Sequence, residues 1–150
     1  MAEETLNPRW SVRAVITDPW LYVALSLALP ALFVMQLLQA PDALAGGSDW
    51  RHVLLLVLIF PVLEELCFRG WIQPTLSEWL PHRWGPLTLA SLLTSVLFAA
   101  AHTVHLPLAA AVLVFFPSLV FGGLRDRHHR VLGATLVHSA YNAVFVLIFF

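Results

Sequence analysis

A few side chains in otherwise apolar stretches have the chemistry to act on something. Glu64, Glu65 and Arg69 lie in EELCFRG, His102 ends FAAAH, and His138 and Asn142 frame HSAYN. Carboxylates serve as bases, imidazoles as acids, bases or metal ligands, and amides as hydrogen-bond donors. A charge at mid-bilayer costs at least ~2.5–3.5 kcal/mol on insertion scales, so such groups normally face a bundle interior and mark function.

Spacing sorts them. Glu65 and Arg69 are four residues apart, with the acid N-terminal, the better order for an ion pair. Glu64 points roughly 100° away, free to face something else. The plainer alternative is that both acids merely end a helix beside Arg69, but a helix C-terminus disfavours carboxylates. His138 and Asn142 share a helical face, as do Phe98 and His102. One histidine in a membrane helix is as readily a helix-bridging hydrogen bond. Two of them, with an acid and an asparagine on three helices, point to a shared site.

The elements that must carry these residues are helices in lipid. The chain has 150 residues, 59% hydrophobic and 11% charged, with a mean hydropathy of +0.80. A soluble domain carries roughly 25% charged residues. The net charge of −1 offers no basic surface for nucleic acid. The single cysteine, Cys67, excludes an internal disulfide and reads as a structural thiol. The apolar runs do not alternate, so strands are not expected.

The expectation is an all-α, polytopic bundle of about five transmembrane helices in one domain, 1–150. The spans are placed at Trp20–Leu38 with Pro30, His52–Phe68 with Pro61, Leu87–His105, Leu106–Leu124 with Pro117, and Val131–Phe150. Between them lie QAPDALAGGSDWR, RGWIQPTLSEWLPHRWGP, HLP and RDRHHR, the last read as an inner-face charge anchor. Residues 1–19 lack the basic region and cleavage site of a signal peptide, so the first span is expected to stay as an anchor. With the N-terminus cytoplasmic, Arg9, Arg13, Arg69, Arg83, Arg125, Arg127 and Arg130 fall inside and only Arg51 outside, as the positive-inside rule requires. That places a multi-pass protein in the cell (inner) membrane. If the helix of Glu64 continues to about Leu80 and the next begins near Pro86, Glu64 and His102 each lie ~24 Å from the turn and come level. His52, His82 and His105 sit at segment ends and receive no role.

EELCFRG, FAAAH and HSAYN resemble, in order and spacing, the three motifs of the CAAX-protease and bacteriocin-processing family of intramembrane enzymes: E-E-x-x-x-R, F-x-x-x-H and H-x-x-x-N. The resemblance covers residues 53–144 and takes in VFGGLRDR, which looks like the family's glycine-bearing fourth helix. It implies a glutamic-type intramembrane endopeptidase without a metal or other cofactor. Glu64 would be the general base, with Glu65, Arg69 and Phe98 in support. His102 would hold or polarise the water, and His138 and Asn142 would stabilise the oxyanion. The chain is short and looks more like the compact prokaryotic subset tied to protein sorting, such as enzymes paired with JDVT-type C-terminal anchors, than like the family's larger members. Its partners would be the bilayer and a membrane-anchored protein substrate.

The chemistry is coherent without the name. Amide hydrolysis needs an activated water, a stabilised oxyanion and a protonated leaving amine. A carboxylate withdrawn from water becomes a better base near neutrality. Donors aimed at an oxyanion can each matter by ~10²–10³ in rate. Two alternatives remain open. Glu64, His102 and His138 make an acceptable His₂Glu zinc set, although H-E-x-x-H is missing and no carboxylate is evident behind either histidine. Or the cluster is helix-to-helix glue in a non-catalytic immunity or scaffold protein.

Overall fold

The computed structural model describes residues 11–27 and 49–149. Residues 28–38 of the expected first span, the connector from Gln39 to Ser48, and Arg9 lie outside the described residues. Two short helices come first, α1 (Val12–Ile16) and α2 (Pro19–Ser26). Ser11 caps α1 through the Ala14 N–H, and Asp18 caps α2 through the Trp20 N–H at 3.0 Å. Proline at the first position of α2 costs nothing, because its missing N–H would have had no partner there.

A continuous helical run, α3, follows over residues 50–79 and alternates between two windings. Trp50–Leu54, Phe60–Cys67 and Gln73–Trp79 are α-helical; Leu55–Ile59 and Phe68–Ile72 are π-helical. Each π segment ends two residues before a proline, Pro61 or Pro74, and the coincidence has a physical cause. The Phe60 N–H reaches back to Leu55 O, and the Gln73 N–H to Phe68 O. The next donor in each case would be a proline nitrogen, which has no hydrogen. Leu56 O and Arg69 O are therefore left without a helical partner. Both are captured from other helices: Asn142 Nδ2 donates to Leu56 O at 2.8 Å, and Arg125 Nε to Arg69 O at 2.9 Å.

α3 thus runs through most of the segment that sequence patterning treats as a connector, as the continuation past Arg69 requires. After it the chain makes a small antiparallel hairpin, β1 (Arg83–Trp84) and β2 (Leu87–Thr88), pairing Arg83 with Thr88 and Trp84 with Leu87. This departs from the strand-free expectation. Gly85, at φ +58°, supplies the left-handed turn residue that a tight hairpin needs, too short a signal to register as periodicity. Thr88 then caps α4 (Leu89–His102) through the Ser91 N–H.

α4 stops three residues short of the expected boundary, in a turn over 103–106. α5 (Leu108–His128) starts after Pro107 and runs on through most of RDRHHR, ending at left-handed His129. α6 covers Leu132–Phe149. Among the described residues, one helix, Leu108–His128, is long and apolar enough to cross a membrane; Leu89–His102 and Leu132–Ile148 are shorter apolar helices. The π turns split α3 into α-helical pieces of at most eight residues.

The apolar core joins Leu21 and Ala24 of α2, Phe121 and Leu124 of α5, and Ala134, Val137 and Tyr141 of α6. Tyr141 Oη donates to Ala24 O at 2.6 Å and fastens α6 to α2. Polarity is otherwise inverted along α3. Glu65, Arg69 and Gln73 are buried, whereas Leu58, Leu63, Leu66 and Trp71 are exposed. A water-soluble helix would bury the second set and expose the first.

Candidate active site

Glu65, Arg69 and Gln73 follow one another at four-residue intervals on the inner face of α3. The wide π turn between the first and last keeps them nearly in line. α5 answers with Ser118, Gly122 and Asp126 at the same interval. Arg69 NH2 donates to Ser118 O at 2.9 Å and also to Ser118 Oγ; Gln73 Nε2 donates to Gly122 O at 3.1 Å and Asp126 Oδ1 at 2.7 Å. Asp126 Oδ2 accepts from Thr88 Oγ1 at 2.8 Å, which joins this ladder to the cap of α4. Gly122 permits the close approach, since a Cβ there would overlap Ser91 Oγ.

The ladder fixes Glu65. Its Oε1 accepts from Arg69 NH1 at 3.2 Å and from His138 Nδ1 at 2.9 Å, and the side chains of Glu65 and Arg69 are fully buried. Glu64, one residue earlier, has a different setting. Its side chain is 32% exposed, and its Oε2 lies 3.7 Å from His138 Nε2. The two acids of EELCFRG are thus divided by helix rotation, as their spacing predicts. One is locked, and the other is partly exposed beside the same imidazole.

Aromatic rings hold the imidazoles. His138 stacks on Phe121 at 4.7 Å and 18°, with Phe98 edge-on at 5.8 Å. Phe98 is buried, with the Arg69 guanidinium 4.6 Å above its ring and His102 4.5 Å away. His102 Nδ1 donates to Phe98 O at 2.8 Å. A carbonyl can only accept, so that bond places the proton on Nδ1 and leaves Nε2 as an acceptor.

The structure therefore brings Glu64, Glu65, Arg69, Phe98 and His138 into direct contact. It does not bond His102 to either glutamate or to His138; Phe98 stands between them. Asn142 directs Nδ2 to Leu56 O, and one amide hydrogen remains for another acceptor. Sequence reasoning missed Ser118, Gln73 and Arg125. The four-residue interval from Glu65 marks Gln73, whereas Ser118 and Arg125 carry no comparable signal. Arg69, counted above among cytoplasmic charges, is fully enclosed and does not contribute to the inner surface. Glu65 also supplies the carboxylate behind His138 that sequence alone did not reveal. Among the described residues no group of three or more His, Cys, Asp or Glu is placed to hold a metal ion.

Comparison with known proteins adds to this geometry. A family model described as type II CAAX prenyl endopeptidase Rce1-like matches residues 46–144, the stretch that holds every residue of the cluster. The UPF0177 protein YbdI of Lactococcus lactis subsp. lactis (strain IL1403) is 34% identical over 101 residues, 67% of this chain and 49% of the relative. The chain thus spans about half the length of that curated relative. No solved structure matches it.

Proposed function

The chain belongs to the Rce1-like family of type II CAAX prenyl endopeptidases, whose members are membrane-embedded proteases, and from that premise we propose a glutamic-type intramembrane endopeptidase with Glu64 as its general base. The division of labour between the two acids carries this reading. Glu65 is occupied by Arg69 and His138, while Glu64 is partly exposed and 3.7 Å from His138 Nε2.

Glu64 takes a proton from water as the oxygen attacks the scissile carbonyl, then returns it to the leaving amine. Glu65 orients His138 through Nδ1. In its doubly protonated form His138 donates from Nε2 to the developing oxyanion, and the second amide hydrogen of Asn142 serves the same atom. His102 Nε2 accepts from the water and holds it. Arg69, itself held by Ser118, fixes Glu65. No cofactor enters this scheme.

The protein is read as a five-span, multi-pass protein of the cell membrane with a cytoplasmic N-terminus. A helical backbone hides its carbonyls, so the substrate is cut where an anchor helix unwinds, near its end. A membrane-anchored protein with a C-terminal sorting anchor is the proposed class, ahead of a prenylated C-terminus.

The test is reconstitution in liposomes with a single-helix, basic-tailed substrate beside a soluble peptide carrying the same motif. Cleavage of the anchored substrate in the presence of strong chelators supports the reading. Stoichiometric zinc, lost with activity and restoring it on return, would replace it with the metalloprotease alternative.

A further inference from the structure

Away from the glutamates, a groove of about 530 Å³ opens between α2, the hairpin and α5. Small-molecule sites span roughly 300–1,000 Å³. Val23 and Leu27 line it from α2, and Phe116 and Val120 from α5. Arg83 of β1 and Arg127 in the last turn of α5 line it as well. α2 begins where α5 finishes, because Asp18 accepts from Arg127 and bonds His128 Nε2 at 2.9 Å. The groove therefore runs from a cationic end at Arg127 to an apolar end at Leu27 and Phe116. Along α5 that run is ~16 Å at ~1.5 Å per residue. One leaflet of a ~30 Å hydrocarbon core is about as deep, ~15 Å.

The charge at the mouth is unbalanced. Arg127 is 49% exposed and gives Nε and NH2 to Asp18, whose side chain is nearly buried. Arg83 gives Nε to Gly85 O at 2.8 Å, and its terminal nitrogens make no hydrogen bond among the described residues. Two guanidiniums meet one carboxylate, and guanidinium forks fit phosphate oxygens in pairs.

We propose that this groove holds one acyl chain of an anionic phospholipid, with the phosphate gripped by Arg83 and Arg127. The site depends on the chain lying in a membrane and is independent of which residue attacks the peptide bond. The full chain, carrying Glu64→Gln so that catalysis plays no part, would be purified in uncharged detergent. Native mass spectrometry would then count retained lipid after exposure to phosphatidylglycerol or phosphatidylcholine. One phosphatidylglycerol should be retained, preferred about fivefold, the worth of one cation near an anionic surface. Arg83→Gln should abolish the preference and still retain lipid. Val23→Trp, at a 47% exposed position on the groove wall, should abolish retention of both. Equal retention of the two lipids, an unchanged preference in Arg83→Gln, undiminished lipid in Val23→Trp, or displacement of the lipid by the anchored peptide substrate would each overturn the assignment.

Discussion

His138 donates from Nδ1 to Glu65 Oε1 at 2.9 Å, and the same oxygen receives the Arg69 guanidinium at 3.2 Å. One carboxylate oxygen thereby joins α3 to α6, and Arg69 carries the link to Ser118 of α5. The fold and the chemistry share this atom. Glu65→Gln removes the counter-charge of a buried guanidinium, a change that typically costs 3–5 kcal/mol. Thermal unfolding of the purified variant should show that loss together with loss of cleavage. A variant with wild-type stability would place the Arg69 charge elsewhere.

The proline-linked π turns yield a sharper test, because each freed carbonyl has one named captor. Arg125→Ala should cost about 1–3 kcal/mol by stranding Arg69 O. Pro74→Ala restores a backbone N–H that can reach Arg69 O, so it should rescue stability in the Arg125→Ala background. Pro61→Ala should likewise rescue the stability of Asn142→Ala through Leu56 O, but not its activity, if the second amide hydrogen of Asn142 serves the oxyanion. Recovery of activity in that double variant would make Asn142 a structural cap alone.

Much of this site is readable in the sequence because helical geometry is short-range. Glu65 with Arg69, Phe98 with His102, and the separation of Glu64 from Glu65 all follow from a rotation of roughly 100° per residue. Ser118 and Arg125 are not readable in this way. Their partners lie 49 and 56 residues away, and neither residue stands out locally. The π turns are half-legible: Pro61 and Pro74 announce a missing donor, but whether the helix kinks or widens depends on a captor elsewhere. Span boundaries drift for a related reason. Hydropathy sees the apolar run, whereas Pro107 and the left-handed His129 decide where α5 starts and stops.

Gly122 and Gly123 should respond in opposite ways to alanine. A Cβ at Gly122 meets Ser91 and lies 3.3 Å from Gln73 Oε1, whereas one at Gly123 finds only Leu87 at 3.9 Å. Gly122→Ala should cost about 1–3 kcal/mol by overpacking. Gly123→Ala should be neutral or gain up to about 1 kcal/mol from helix propensity. Thermal unfolding of both in one detergent measures the contrast.

Asp18 predicts a pH dependence. Burial raises its pKa, but hydrogen bonds from Arg127, the Trp20 N–H and His128 outweigh that and hold it at about 2, below the ordinary 3.8. A carboxylate with a depressed folded pKa stabilises the fold above its unfolded pKa and loses that contribution as pH falls through the folded value. Asp18→Asn keeps the helix cap, because asparagine caps as well as aspartate. It should therefore cost about 1 kcal/mol near neutrality, as an ion pair does. The difference from wild type should shrink between about pH 4 and pH 2, and a difference that persists at pH 2 would assign the loss to packing.

The most direct measurement is single-turnover cleavage of an anchored substrate in liposomes by wild type and Glu64→Gln, with thermal unfolding of both followed in parallel. Glutamine keeps the size and hydrogen bonding of Glu64 and cannot take the proton. The account predicts a fall of about 10²–10⁴-fold, the usual contribution of a general base, with the unfolding temperature unchanged. Cleavage at the wild-type rate by a folded Glu64→Gln variant would contradict it.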